Sequence, residues 1–176
     1  PADCRQGRRA SREESRMTQR IAQASITIRA PIERVWSVII ELNRYREWNP
    51  FIYDVVNAPA ELRVGSRFLL RVRWADGTTA ESWETTTHLA PPTHTSQAPT
   101  SAMLAYRYSS WLARVGLVRA TREQHLLQKV GEAATHYSTR ETFHGPLARF
   151  LPLANVEEGF QRHARALKQH AESGGS

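Results

Sequence analysis

Every second residue is apolar along several stretches of this chain, and an apolar period of two predicts β-strands with one buried face. Between Arg67 and Trp74 the apolar positions alternate mainly with arginines, and a typical hairpin turn, Asp76-Gly77, follows directly. The same pattern, bounded by Gly and Pro, predicts strands in seven segments of the chain. These segments are 18–29, 51–58, 67–74, 78–89, 103–111, 120–130 and 134–144.

The apolar period changes to three or four residues at the C-terminal end of the chain. There the charged side chains share one side and the apolar side chains the other, which predicts an amphipathic helix over 153–171 after a turn at 147–151. Near the N-terminus, Pro31 favours a helix start, so we expect a short helix over 31–42 and a helical turn at 43–47. The apolar positions of the terminal helix are Leu153, Val156, Phe160, Ala164 and Leu167.

The order of these elements indicates an α+β fold. We expect one domain over residues 17–172, in which the sheet curls around the terminal helix. Residues 1–16 have almost no apolar periodicity and are expected to be a disordered N-terminal extension or tag, because Met17 comes just before the first strand. Residues 173–176 are expected to be a flexible tail.

The charge of the chain raises the question of a nucleic-acid partner. The 176 residues carry a formal net charge of +7, but no basic run is interleaved with base-stacking aromatic residues. Nucleic-acid binding is therefore not expected, and an anionic ligand or lipid head group stays open. The basic clusters are Arg63, Arg67, Arg71 and Arg73 on one strand face and Arg114, Arg119 and Arg122 around a loop.

The remaining composition points to a cytoplasmic protein. No apolar run approaches the ~20 residues of a membrane span, so stable membrane insertion is not expected. The one cysteine, Cys4, lies in the N-terminal extension and cannot form an internal disulfide. The histidines show no pair with metal-ligand spacing, and no phosphate loop or nucleophile elbow is present, so we predict neither a metal nor a cofactor.

Four short segments resemble a known superfamily in their order and spacing. They read APIERVW at 30–36, YREWNPF at 45–51, VGS at 64–66 and ETFHG at 141–145. The chain from 21 to 172 resembles the START-like (SRPBCC) superfamily, which includes polyketide cyclase/dehydrase, lipid-transport and Bet v 1-like proteins.

The resemblance implies a helix-grip fold. In that fold a curved seven-stranded antiparallel sheet encloses a long C-terminal helix, and two short helices follow the first strand. A cavity for an apolar or amphipathic small molecule lies between the sheet and the helix. The segment 93–102 is longer and more polar than the tight turn usual in this superfamily, so we expect it to reshape the rim of the cavity.

Two residues are candidates for acid–base chemistry. Alternation along the last strand places Glu141 on the same face as Tyr137 and Phe143, where burial raises the pKa of a carboxyl group and suits it to proton transfer. The alternatives are a Glu141 that pairs with an inward arginine or lies at the wet mouth of the cavity. His163, three residues after Phe160 on the terminal helix, is a second candidate, with a structural role as the alternative.

The residues expected to line the cavity are mainly aromatic, because flat rings bind apolar or aromatic ligands. The leading hypothesis is therefore a small-molecule binding protein. The alternatives are a cofactor-independent polyketide cyclase/aromatase-like enzyme, and a co-chaperone or assembly factor that acts through its surface. The oligomeric state, including a dimer, is left open. The expected ligand-binding residues are Trp36, Trp83, Tyr106, Tyr137, Phe143 and Phe160.

Overall fold

A single antiparallel sheet and a long C-terminal helix form the frame of the protein. The computed structural model describes residues 19–94, 98–109 and 111–174, with only the backbone at 111 and 112. The predicted extension over 1–16 and the last two residues of the predicted tail lie outside this part of the chain. The strands are β1 (Arg20–Ile28), β2 (Ile52–Val56), β3 (Arg67–Arg73), β4 (Thr79–Ala90), β5 (Thr100–Tyr108), β6 (Arg119–Gln128) and β7 (Thr135–His144).

The helices of the described residues connect or cover these strands. The helices are α1 (Ile32–Ile40), α2 (Tyr45–Trp48), α3 (Trp111–Arg114) and α4 (Leu153–Ser173), with 3₁₀ turns at Leu42–Arg44 and Ala148–Phe150. The predicted helices and strands are all present, with small shifts at their ends. Two differences stand out: β5 begins at Thr100 because its polar first residues pair with β6, and the short helix α3 was not predicted.

The sheet order is β1-β7-β6-β5-β4-β3-β2, and every neighbouring pair is antiparallel. The strands β2 to β7 therefore form a meander, and β1 closes the sheet beside β7. The sheet curls around α4, which packs most extensively against β1. This architecture confirms the predicted α+β helix-grip fold.

The buried face of α4 has the predicted apolar spacing. Val156, Phe160, Ala164 and Leu167 are all buried. Between them, Gly159 allows the aromatic ring of Phe51 to approach the helix backbone, because a Cβ atom at this position would lie only 2.4 Å from that ring. The Phe51 ring therefore packs directly against the backbone of α4.

The segment between α2 and β2 is fixed by the side chain of Asn49. Its Oδ1 atom accepts hydrogen bonds from the backbone N–H groups of Phe51 (3.1 Å) and Ile52 (2.9 Å), and all three groups are buried. Burying these donors unpaired would be costly. Asn49 thus defines how the chain enters β2 and where Phe51 lies.

Candidate ligand-binding cavity

A cavity of about 310 Å³ lies between the inner face of the sheet and α4. Its wall is mainly apolar and aromatic, and strands β3 to β7 contribute most of it. The apolar and aromatic lining residues are Phe51, Leu70, Val72, Trp74, Ala80, Tyr106, Tyr108, Val118, Ala120, Phe143, Leu151, Pro152, Val156 and Phe160. Such a wall fits the apolar body of a small molecule.

A row of polar side chains crosses the cavity wall on three neighbouring strands. Glu141 on β7 is directly opposite Arg122 on β6, and Arg122 is directly opposite Tyr106 on β5. All three residues line the cavity, together with Glu84 from β4. Directly opposite Cβ atoms in an antiparallel sheet are roughly 5 Å apart, so these groups form one cluster.

Arg122 lies at the centre of this cluster and is only 6% exposed. Its Nε–H group donates to Thr139 Oγ1 at 3.0 Å, and its guanidinium carbon lies 4.4 Å from the centroid of the Phe160 ring. Its Nη2 atom has no hydrogen-bond partner, and no carboxylate of the described residues forms an ion pair with it. Because a guanidinium stays protonated, Arg122 offers a charged, unsatisfied donor inside the protein.

The two carboxyl groups of the cavity hold protons more tightly than usual. The pKa of Glu84 is raised to about 8, first by burial and then by the nearby charge of Glu141, while Ser82 and Arg122 oppose the shift. Burial also raises the pKa of Glu141 to about 7, and Arg122 again acts in the opposite direction. Near neutral pH the cavity therefore contains carboxyl groups in both protonation states.

Tyr106 adds a neutral donor to the cluster. Burial raises the pKa of its hydroxyl group well above the usual value, so the group keeps its proton. The hydroxyl has no hydrogen-bond partner among the described residues. Two unsatisfied donors, on Arg122 and Tyr106, thus accompany two carboxyl groups that can exchange protons. The cluster thus combines hydrogen-bond donors with carboxyl groups that exchange protons near neutral pH.

The structure brings together four of the residues that were expected at the site. Glu141, Tyr106, Phe143 and Phe160 all line the cavity. The remaining four expected residues lie elsewhere, among the core and the outer surface. They are Trp36, Trp83, Tyr137 and His163.

The two tryptophans are displaced from the cavity for different reasons. Strand alternation turns Glu84 inward, so Trp83 points to the outer face, where the guanidinium carbon of Arg67 lies 4.7 Å from its ring centroid. Trp36 belongs to α1, which packs against α4, β5 and β6, and it borders a separate surface depression with Leu89. Neither ring lines the cavity.

Tyr137 and His163 belong to the packed core beside the cavity. The Tyr137 hydroxyl donates to Gln124 Oε1 at 2.7 Å, and the Tyr137 ring centroid lies 5.9 Å from that of His163. His163 Nδ1 lies 2.7 Å from Asn49 Nδ2, which can only donate, so Nδ1 accepts and the proton lies on Nε2. Burial and the charge of Arg122 lower the pKa of His163 well below its usual value, so the ring stays neutral.

Arg122 and Glu84 are the charged cavity residues that the sequence interpretation missed. Arg122 was expected in a loop cluster with Arg114 and Arg119, but it lies within β6 and points inward. Arg122 is separated by an even number of residues from Ala120 and Leu126, which are both buried. Side chains at such spacing share one face of a strand, and this is the sequence signal that would have placed Arg122 on the inner face. Glu84 has the same signal, because it shares one face of β4 with Ser82 and Ala80.

Other expectations concern the surroundings of the cavity. The described part of segment 93–102 does not reach the cavity wall, so the expected reshaping of the rim is not seen there. Its residues His94, Ala98 and Thr100 instead border a depression beside the turn after β6.

In the part of the chain that the structure describes, no three His, Cys, Asp or Glu side chains are grouped to hold a metal, and no helix is long and apolar enough to cross a membrane.

Comparison with known proteins gives matches in structure but not in sequence. No family model matches the chain, and no curated protein matches it in sequence. The Zhui aromatase/cyclase from Streptomyces has a TM-score of 0.64 and 19% identity, over 88% of this chain and 94% of that chain. A major latex-like protein from Panax ginseng has a TM-score of 0.65 and 9% identity, over 88% and 98%.

A third match is norcoclaurine synthase from Thalictrum flavum, with a TM-score of 0.61 and 11% identity, over 90% of this chain and 89% of that chain. At these identities the likeness concerns the fold. The shared fold extends over nearly the full length of each protein. The chain therefore has the helix-grip fold of the START-like, Bet v 1-like superfamily.

Proposed function

We propose that the protein binds an apolar or aromatic small molecule in the cavity between the sheet and α4. The observation that carries this proposal is the apolar, aromatic wall around about 310 Å³ of space. This volume is at the lower end of the roughly 300–1,000 Å³ found for small-molecule pockets. The ligand class is therefore a compact molecule with one or a few rings, or a short chain.

The polar row defines the orientation of this ligand. Arg122 and Tyr106 each have an unpaired donor, and leaving such groups buried without a partner costs free energy. A ligand oxygen that accepts hydrogen bonds from both residues removes this cost. The ligand class thus has an apolar body and at least one carbonyl, hydroxyl or other oxygen acceptor.

Replacing Ala120 by leucine tests the cavity as the binding site. Ala120 lines the cavity, so the larger side chain extends into space that the ligand needs. We expect the affinity for 2-naphthol, whose rings and hydroxyl group match the wall and the polar row, to fall at least tenfold by isothermal titration calorimetry. Native mass spectrometry of the same two proteins would show whether a co-purified molecule is also lost.

The matched control is Ala154→Leu, which makes the same change on the exposed side of α4. We expect its affinity for 2-naphthol to stay within twofold of the wild-type value. Equal affinities for the wild-type protein and Ala120→Leu would place the binding site outside the cavity and contradict the proposal.

A second candidate function is enzymatic proton transfer on a carbonyl compound, as in a polyketide cyclase-like reaction. The specific observation is the pair of cavity carboxyl groups with pKa values of about 7 and 8 beside Arg122. Glu141, when ionised, takes a proton from the carbon next to the carbonyl group and leaves an enolate, and Glu84, when protonated, then gives its proton to the enolate oxygen to form the enol. Arg122 and Tyr106 donate to the enolate oxygen that forms. The two carboxyl groups exchange roles, so no other reactant is needed.

The variant Glu141→Gln separates binding from this chemistry. The probe is 2-tetralone in D₂O, and proton NMR follows hydrogen–deuterium exchange at the carbon next to its carbonyl group. We expect the protein to accelerate the exchange, with a rate that rises as pH increases through about 7, where Glu141 ionises. Loss of the base is expected to lower the protein-dependent rate roughly 100-fold, while the affinity for 2-tetralone, measured below pH 7 where Glu141 is protonated, changes less than twofold.

Glu123→Gln is the control for this experiment, because Glu123 lies on the outer face of the same sheet, where it contacts His125. It should leave the exchange rate unchanged. A wild-type rate no faster than that of buffer would reject the enzymatic candidate and leave the binding function, which the calorimetric experiment tests separately.

A further inference from the structure

Four arginine side chains surround a further surface depression, of about 430 Å³, on the outer side of the sheet. Hydroxyl-bearing residues complete its polar lining. None of the four arginines forms an ion pair with a carboxylate of the described residues. We call this site the arginine depression; its polar lining residues are Arg67, Arg107, Arg114, Arg119, Thr85, Tyr108 and Ser109.

The register of the sheet brings these arginines together. Arg67 on β3 and Arg107 on β5 are both directly opposite Thr85 on β4, one from each side. Arg107 is also directly opposite Thr121 on β6, two residues from Arg119 on the same face. Arg114, at the end of α3, joins them from the connection between β5 and β6.

This arrangement is unfavourable when the depression contains no anion. Neighbouring like charges on one face of a sheet repel each other. The carboxylate on this face of β6, Glu123, contacts His125 and does not line the depression. Arg67 is held over the Trp83 ring, which fixes its position while its N–H donors stay free to bind a ligand.

The geometry points to a phosphate group as the missing partner. We propose that the arginine depression is a binding site for a phosphate-class dianion. Several guanidinium groups around one surface depression match a compact ion with several acceptor oxygens, because each guanidinium forms paired hydrogen bonds to phosphate oxygens. A nucleic-acid backbone would instead require the charges to follow an extended groove.

The depression lies beside the ligand cavity. Tyr108 lines both of them, and Arg119 lies between Val118 and Ala120, which point into the cavity. A phosphate-headed amphiphile can therefore place its apolar part in the cavity and its head among the arginines. This extension rests on the proposed function, whereas the phosphate site itself does not.

The first test is a titration of the full chain with inorganic phosphate at constant ionic strength, followed by NMR on the arginine side-chain Nε–H resonances. We expect saturable shifts for the four arginines of the depression and none for Arg46 or Arg165. The double variant Arg107→Gln/Arg119→Gln is expected to bind phosphate at least tenfold more weakly. The control Arg46→Gln/Arg165→Gln removes the same two charges at exposed positions outside the depression and should change the affinity less than twofold.

Equal weakening in both double variants, or shifts that do not saturate, would overturn the proposal, because either result indicates general charge screening. Thermal unfolding shows whether the variants fold. Without phosphate, Arg107→Gln/Arg119→Gln should unfold at the wild-type temperature or above it, because repulsion is removed. Added phosphate should raise the unfolding temperature of the wild-type and control proteins but not of this variant.

Dodecyl phosphate tests whether the bound phosphate group belongs to an amphiphile or is a free phosphate ion. Binding at least tenfold tighter than that of inorganic phosphate, with the gain lost in Ala120→Leu, would identify an amphiphile that occupies both sites. Equal binding of the two probes would identify a free phosphate ion. If the wild-type protein binds neither probe, the phosphate proposal is wrong even where 2-naphthol binds in the cavity.

Discussion

Replacing Asn49 by alanine is expected to lower the free energy of unfolding by about 3–5 kcal/mol. The change removes the acceptor of two buried backbone N–H groups, on Phe51 and Ile52. Each buried donor left without a partner costs roughly 1–3 kcal/mol. The change also removes the Nδ2–H donor that lies 2.7 Å from His163 Nδ1, so a third buried group loses its partner. Urea denaturation at neutral pH measures the effect.

Asn43→Ala is the matched control, because Asn43 is exposed in the 3₁₀ turn before α2. Its effect is expected to stay within about 0.5 kcal/mol, as is usual for surface positions. A loss of similar size in both variants would show that Asn49 does not fix this segment. Because Phe51 lines the cavity and directly follows this turn, Asn49→Ala should also weaken 2-naphthol binding in the protein that remains folded.

The double variant Glu84→Gln/Glu141→Gln is expected to change how stability depends on pH. Both carboxyl groups have folded-state pKa values, about 8 for Glu84 and about 7 for Glu141, that lie above the ordinary glutamate value of 4.5. The folded protein therefore holds protons that the unfolded chain has released. The stability from these groups is fully present below pH 4.5 and is lost as pH rises through about 7 and 8.

Glutamine does not titrate, so this loss should be absent from the double variant. We expect the wild-type protein to lose stability relative to the variant by an amount on the order of 6 kcal/mol between about pH 5 and pH 8. Urea denaturation across this range measures the difference. The control Glu61→Gln/Glu132→Gln, at two exposed carboxylates, should leave the wild-type pH profile unchanged. Parallel profiles for the wild-type protein and the cavity variant would show that both cavity carboxyl groups are ionised at neutral pH.

Under the proposed function, we expect these two carboxyl groups to make ligand binding sensitive to pH as well. A ligand that presents an oxygen acceptor to Arg122 is repelled by any ionised carboxylate beside it. Protonated Glu84 and Glu141 remove this repulsion below about pH 7. The protonation of Glu84 and Glu141 therefore affects both the stability of the protein and the charge inside the cavity.

The apolar periods of the sequence determined the fold of this protein to a large extent. A period of two located the seven strands, and a period of three to four located the buried face of α4. Alternation along β7 also predicted that Glu141 shares a face with Phe143, and both residues line the cavity. These features are local, because the backbone geometry of a strand or helix determines which of its side chains share a face.

The pairing of distant strands decided the rest. Arg122 is opposite Glu141 and Tyr106 only because β6 lies between β5 and β7, and Glu84 joins them from β4. The pairing of β3 with β4 likewise brings Arg67 next to the ring of Trp83. His163 lies in the core because Asn49, 114 residues away in sequence, provides its partner. Strand register and burial depend on which segments become neighbours, so tertiary structure alone determined the polar cluster, its pKa values and the arginine depression.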